Sequence, residues 1–382
     1  MAEIQDNKVT QRSFMEGLES NEPPISAPKS SLFKMKSANQ WIMEAQNLPD
    51  PQPLYKTLLH EGELCCLFAD SNLGKSIFAV QIANKIAKDT GYIVNYFDFE
   101  LSLKQFQKRY TGDFGELYTF EPNLNRIEMD FCELGFGEDY EIAIKEGLWD
   151  NIRESGAKVI IIDNITWLEN NAEDPKLAGR LMQELVRIKR ELGVTVLVLG
   201  HTPKRDLSTP LTQNSLAGSK RLFNFMDSVF AIGKSIRGES VRYVKQLKTR
   251  MGKVEYGENN VICYEITKEG SFLFLKETGY SSEKDHLGKS KGEIMEQKKK
   301  EAMELFNENP SLSDRAIGEM TGLGKSTVNR LLKPLREEKA MELFNGNPSL
   351  SNEEIRESTG LKPEAIEKLL KPLREKSETP EE

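Results

Sequence analysis

The sequence predicts an α/β fold with a mainly parallel sheet, followed by a small all-α C-terminal region of two tandem repeats. Three observations predict it. A phosphate-binding loop stands between an apolar run and a helical stretch, Ala69-Asp70-Ser71-Asn72-Leu73-Gly74-Lys75-Ser76. Apolar strands alternate with amphipathic helices from about Trp41 to residue 280, the pattern of a sheet covered on both faces. Near the C-terminus, a segment recurs with a shift of 38 residues. At 382 residues the chain has room for about two domains.

Residues 1–38 are polar and carry Pro23, Pro24 and Pro28 among serines and lysines, which reads as a flexible arm. Strands are expected at Leu64–Phe68, Ile93–Phe97, Val159–Ile162, Val194–Leu199 and Ser228–Ile232. Between them, the periodicity predicts helices near 77–88, 103–110, 141–155 and 174–192. The period then falls to two, so Val241–Lys248, Val261–Ile266 and Phe272–Lys276 read as antiparallel strands at the end of the sheet. Residues 281–300 read as a charged linker ending in a helical start. In the duplication, Ala302–Asn307 recurs as Ala340–Asn345 and Leu331–Glu337 as Leu369–Glu375, giving repeats over 301–338 and 339–376 and a short tail, 377–382. Two copies are too few for a solenoid, so a tandem pair of small helical modules is expected.

In the strand–loop–helix setting, backbone N–H groups and a helix N-terminus cradle negative oxygens. Lys75 is placed to reach the outer phosphates of a nucleoside triphosphate, and Ser76 to hold Mg²⁺. Ala69 stands where the pattern has its first glycine, which works only if that position does not need φ > 0. Asp163 ends the run Val159-Ile-Ile-Ile at a strand tip, where it can contact the Mg²⁺ shell. Ser102 and Gln105 form a capping box for the next helix. That leaves Glu100 at its strand tip to orient a water and take its proton, with Asp98 as the rival. His201 closes a third apolar strand and is a candidate γ-phosphate sensor.

The set Ala69–Ser76, Glu100, Asp163 and His201 resembles the RecA-like core of hexameric helicases, especially RepA-type plasmid helicases. The segments Pro53–Gly62 and Gly218–Asp227 are similar to that family too, and the likeness spans roughly residues 40–280. The resemblance implies a RecA-like P-loop ATPase domain over 39–280 that uses ATP and Mg²⁺, acts as an ATP-dependent DNA helicase or translocase, and assembles as a homo-oligomer, hexameric by the family's pattern. It implies a basic finger from a neighbouring subunit, and Lys248-Thr-Arg250 matches its lysine-x-arginine pattern. It also turns the polar loop 203–220 toward a central channel, where Lys204, Arg205, Lys220 and Arg221 would track single-stranded DNA. That loop has no aromatic side chain for base stacking, so tracking there would be salt-sensitive and sequence-blind.

In the first repeat, Ser313 caps a helix, Thr321–Gly324 turns the chain, and Lys325 or Ser326 opens a second helix, a helix-turn-helix pattern. Lys325, Ser326, Thr327, Asn329 and Arg330 are of types that contact phosphates and base edges. The second repeat has Pro363, Glu364, Ala365, Glu367 and Lys368 there, and its glutamates repel phosphate. Pro334 and Pro372 are expected to end or kink the second helices. Net charge of −8 gives no global case for nucleic acid, so that case rests on local patches. No apolar run reaches the ~20 residues of a membrane span, and the charged N-terminus is unlike a signal peptide, so a cytoplasmic location is expected. Four cysteines without metal spacing read as core residues of a reducing compartment. Two other functions fit the same residues: a non-unwinding ATP-dependent DNA-binding regulator and a nucleotide-controlled scaffold.

Overall fold

The computed structural model describes residues 33–130, 140–164, 175–202, 205–216 and 220–377. The chain divides into two units, Met1–Pro51 and Gln52–Glu382. The described part of the first holds one helix, α1 (Ala38–Ala45), closed at its start by a reciprocal capping box between Ser37 and Gln40.

The second unit opens with a small antiparallel pair, β1 (Pro53–Tyr55) and β2 (Leu59–His60). There follow β3 (Leu64–Ala69), α2 (Lys75–Thr90), β4 (Val94–Asp98), α3 (Leu103–Arg109), β5 (Leu124–Ile127), α4 (Tyr140–Ser155), β6 (Val159–Asp163), α5 (Pro175–Leu192), β7 (Thr195–His201), α6 (Lys220–Phe225) and β8 (Ser228–Lys234). Three longer strands complete the sheet, β9 (Val241–Lys248), β10 (Val261–Glu269) and β11 (Phe272–Ser281). The nine strands lie in the order β11-β10-β9-β8-β3-β7-β6-β4-β5. The six from β8 to β5 are parallel and the last three antiparallel, as the change of period predicts.

Strand β3 is buried at every residue because both faces of the sheet are covered. Leu64, Cys66 and Phe68 point to a core closed by Trp149 and Ile152 of α4 and Leu185 and Ile188 of α5. Cys65, Leu67 and Ala69 point to the other, closed by Phe78, Ile82 and Ile86 of α2. This is the two-residue period of a strand read against two layers of helices. Cys65, Cys66 and Cys263 are free, buried thiols; Cys132 lies outside the described residues. Among the described residues, no helix is long and apolar enough to cross a membrane.

Residues 281–288 are not a free linker. Glu283 and His286 are buried, because Lys245 of β9 meets Glu283 at 2.5 Å and His286 Nδ1 lies 2.7 Å from Ser235 Oγ. Leu211 N donates to the other oxygen of Glu283, which ties this segment to the loop after β7. Composition shows the charges of 281–288 but not the buried lysine that answers them. The rest of the expected linker belongs to α7 (Lys291–Glu308).

The tail continues with α8 (Asp314–Thr321), α9 (Lys325–Gly346), α10 (Asn352–Thr359) and α11 (Pro363–Ser377). No loop marks the expected boundary at 338/339. The second helix of the first repeat and the first helix of the second are one continuous helix, α9. Neither Pro334 nor Pro372 ends its helix; each lies inside one. An interior proline costs about 3 kcal/mol. Helix α9 offsets this by burying Val328 and Leu332 in one cluster and Ala340 and Phe344 in the next, at roughly 1.5–3 kcal/mol for each large side chain.

Arg336 shows why the repeats share a helix. Its guanidinium pairs with Asp314 at 2.6 Å and sits 5.5 Å over the Phe306 ring, both in the first repeat. It also packs beside the Gly360 turn of the second, where a Cβ would lie 3.6 Å from Arg336 Cζ. The duplication splits these two tasks elsewhere, with Lys298 donating to Gly322 O and Arg374 to Asn352. Arg336→Ala removes the ion pair of a nearly buried Asp314 and leaves it only the bond from Asn329, so we expect a loss of about 2–3 kcal/mol. Hydrogen exchange should then rise in α8 and α10 together; a rise in α8 alone would show that the repeats are independent.

Candidate functional site

Register brings the chemistry to one edge. Ala69 pairs with His201 across β3 and β7, and Asp98 with Asp163 across β4 and β6; Ile162 pairs with Val198, so the second pair of tips stops two residues short of the first on the same edge. This carboxyl edge is where ligands of open α/β sheets bind. Ala69 is itself the last residue of β3, and its backbone has no positive φ. The left-handed positions fall on Asn72 (φ 61°) and Gly74 (φ 94°), which explains why alanine suffices at the loop's start. A Cβ on Gly74 would also come within 3.2 Å of Ile266. Helix α2 has no side-chain cap, so its first N–H groups stay open to an anion. Behind the loop, Arg242 donates to Leu73 O at 3.3 Å and to two carbonyls of its own turn, bracing the loop from β9.

Lys75, Ser76, Glu100 and His201 line one cleft of about 350 Å³ together with Ser71, Asn72, Gly74, Ile77, Arg109 and Ile266. Lys75 Nζ lies 3.2 Å from His201 Nδ1, and burial lowers its pKa against the pull of Asp163, Glu100 and Asp70. An ammonium has only donors, so Nδ1 must accept and Nε2 carries the ring proton. That proton faces Glu100 Oε1 at 3.3 Å, while the Asn164 amide lies 2.8 Å from Nε2 and donates to the same carboxylate oxygen. The bond from His201 is the largest influence on Glu100 and holds its pKa below the usual value; partial burial opposes it, and Lys75 and Asn164 add to it. Glu100 is therefore an ionised carboxylate joined through His201 to the phosphate-loop lysine.

Asp98, the rival of Glu100, is occupied. Its Oδ1 accepts from Glu100 N and Leu101 N, and its Oδ2 pairs with Arg126 at 2.9 Å. It builds the turn that presents Glu100. The Ser102–Gln105 capping box is present at the start of α3.

Asp163 is fully buried. One oxygen accepts from Tyr96 OH at 2.6 Å, the Ser76 hydroxyl bonds the carboxylate, and Oδ1 has no hydrogen-bond partner among the described residues. An orphaned carboxylate oxygen beside a serine hydroxyl is a pair of hard oxygen donors, and it fits Mg²⁺. Burial, the largest influence, pushes the Asp163 pKa from 3.8 up to about 6. The unfolded carboxyl ionises near its ordinary value and the folded one later, so folding takes up a proton in that window. Stability falls as pH rises through it and is lowest above pH 6, by up to about 3 kcal/mol. Asp163→Asn should therefore raise the thermal midpoint of metal-free protein at pH 7.5 and leave it unchanged below pH 4, as measured by calorimetry in a chelator. Equal midpoints at both pH values would show that the charge is already compensated.

Arg250 and Lys248 lie elsewhere. Lys248 pairs with Val229 at the start of β8, and Arg250 meets Asp227 at 2.9 Å just before it. Asp227 N donates to Leu64 O, and Asp227 accepts from Leu64 N, so these residues flank the first residue of β3. The length of β3, about 17 Å at ~3.3 Å per residue, separates them from the loop of the same chain. Lys248 donates to Phe223 O at 2.9 Å, and burial followed by the nearby Arg250 lowers its pKa.

The expected DNA contacts divide. Lys204 lies outside the described residues, and Lys220 and Arg221 open α6. Arg205 is not free to track a backbone: it donates to Thr209 O and bonds Tyr243, because the loop folds back on itself. In the tail Lys325, Ser326 and Arg330 are exposed at the start of α9 and Thr327 is half-buried, but Asn329 donates to Asp314 at 2.8 Å. Arg109, Asn164 and Arg242 are site residues that sequence reasoning missed. Only Asn164, next to Asp163, had a signal in its position.

Residues 29–206 match the sequence model of a family described as an AAA domain. No curated protein matches the chain. Among solved structures, the crystal structure of a KaiC-like protein from the hyperthermophilic archaeon Pyrococcus horikoshii OT3 is similar at 15% identity and a TM-score of 0.42, over 57% of this chain and 90% of that one. The strand order, the phosphate loop at the end of β3 and the AAA domain match identify the core as a RecA-like P-loop NTPase fold.

Proposed function

We propose that the chain hydrolyses ATP as an oligomer and uses the turnover to move along or unwind DNA, as a RepA-type helicase of a plasmid or other mobile element would. The observation that carries this reading is the chain of contacts from Lys75 through His201 to Glu100 and Asn164 at the mouth of the phosphate loop. The N–H groups of the loop and α2 bind the phosphates, and Lys75 places its charge on the outer ones. Glu100 orients a water for in-line attack and takes its proton. His201 bonds both Lys75 and Glu100, so loss of the γ-phosphate changes its partners and moves the loop that follows β7. Ser76 and Asp163 would hold Mg²⁺, which would supply positive charge against the phosphate oxygens. Arg250 cannot reach the cleft of its own chain, which supports a role across an interface with a neighbouring copy.

A regulator that binds DNA without unwinding it is favoured by a different observation. The basic side chains of the loop after β7 are depleted by the internal bonds of Arg205, whereas Lys325, Ser326 and Arg330 are exposed on one helix start in the tail. Hydrolysis measured against protein concentration, with and without single-stranded DNA and with Lys75→Ala as the blank, separates the two. Turnover that rises with concentration and DNA, accompanied by strand displacement, supports the motor. DNA-indifferent turnover with sequence-selective duplex binding supports the regulator.

A further inference from the structure

Phe114 is 98% exposed, more than any other large apolar side chain among the described residues. It stands at the tip of a closed hairpin. Thr111 and Leu117 form an antiparallel bridge, Gly112 N donates to Glu116 O at 2.8 Å, and Tyr118 N donates to Tyr110 O at 2.9 Å. At the apex Phe114 N donates to Glu116 Oε2, and Gly115 adopts φ 87°. The base is equally fixed, with Tyr110 and Tyr118 stacked on Phe272. A phenylalanine held in water on a rigid turn is the form of an interface anchor, since little freedom remains to be lost on docking.

The hairpin rises from the rim of the nucleotide cleft. Arg109, which lines the cleft, immediately precedes it, and Lys268, two residues beyond the cleft-lining Ile266, donates to Thr111 O. Asp113 and Glu116 flank Phe114, so the tip is acidic with an apolar centre. The loop between β9 and β10 has the complementary build. Arg250 and Lys253 flank Met251, which is 40% exposed, and Val254 is 47% exposed.

We propose that the hairpin of one copy receives the β9–β10 loop of a second copy, with Phe114 packed on Met251 and Val254 and the acidic flank facing Lys253. Docked in this way, the loop delivers Arg250 over the rim into the cleft. The two elements sit at opposite ends of the parallel strands, so the contact is head-to-tail, the kind that closes rings or extends filaments. The assignment rests on the proposal that Arg250 acts in trans.

The test uses two inactive full-length variants. Lys75→Ala lacks a working cleft but keeps the Arg250 loop; Arg250→Ala keeps its cleft and hairpin. Mixing them should recover turnover at interfaces that join an intact cleft to an intact loop. Adding Phe114→Asp to the Arg250→Ala chain should cut the recovered turnover by about tenfold or more, as removal of an anchor does. Adding it to the Lys75→Ala chain should have the smaller effect. Asp113→Lys with Glu116→Lys should likewise lose recovery, and Lys253→Glu on the other chain should restore it. Recovery that survives Phe114→Asp on the cleft-bearing chain overturns the hairpin assignment alone. Absence of recovery in the unmodified mixture overturns the trans role of Arg250, and the hairpin assignment with it. The exposure of Phe114 means that its replacement should leave the thermal midpoint unchanged, so loss of fold is read separately.

Discussion

Glu100→Gln should lower ATP turnover by about 10²–10⁴-fold, the range for loss of a positioned general base, while nucleotide affinity stays close to that of the parent. The amide keeps the shape of the side chain and can still face His201 and Asn164, so the cleft should retain its form. What disappears is the ionised oxygen that takes the proton of the attacking water. The same carboxylate is held below its usual pKa, first by the bond from His201, so it stays ionised through neutral pH. A single-turnover hydrolysis assay beside a fluorescent-nucleotide titration separates the two effects. If turnover survived Glu100→Gln, the acceptor would have to be sought elsewhere, and Asp98 is a poor alternative because two backbone N–H groups and Arg126 already occupy it. An equal loss of binding and turnover would instead make Glu100 a structural partner of His201.

Most of the core was legible because its signals are local. Five of the six parallel strands are short apolar runs, and a carboxylate, histidine or glycine-rich turn at the end of one is readable without knowing its neighbours. Strand β5, Leu124-Asn-Arg-Ile127, has polar residues at its centre and went unread. Ala69 was open on paper and is settled by the backbone, since the left-handed turns fall at Asn72 and Gly74. Residues that reach the site from distant segments left no such signal. Arg242 braces Leu73 from β9, and Arg109 enters from the end of α3, yet in sequence each is one more basic residue near an element end. Segment 281–288 was misread for a related reason: its composition is that of a solvated linker, and only the buried Lys245 of another strand makes Glu283 a core residue. In the tail, the propensity of proline argued for a break at Pro334, and packing on both repeats overrode it.

Arg250→Ala should reduce turnover by about 10³-fold or more, the scale of an arginine finger, with nucleotide binding retained. Its position makes the experiment decisive. Arg250 is 60% exposed and among the described residues its one ion pair is with Asp227, which also accepts from Lys189 and Leu64 N. Removing the guanidinium therefore leaves the buried Asp227 with its bonds from Lys189 and Leu64 N, and a pair whose arginine is largely in water contributes only about 1 kcal/mol. A large kinetic loss with an unchanged thermal midpoint cannot then come from damage to the fold. Nor can it come from the chain's own cleft, which lies the length of β3 away. It must come from a site supplied by another copy. Arg250→Lys should fail to restore turnover, because a single ammonium lacks the planar fork that pairs two phosphate oxygens at once. A lowered midpoint with normal turnover would assign Arg250 to the Asp227 cluster instead, and the β9–β10 loop would then be a support for the start of β3.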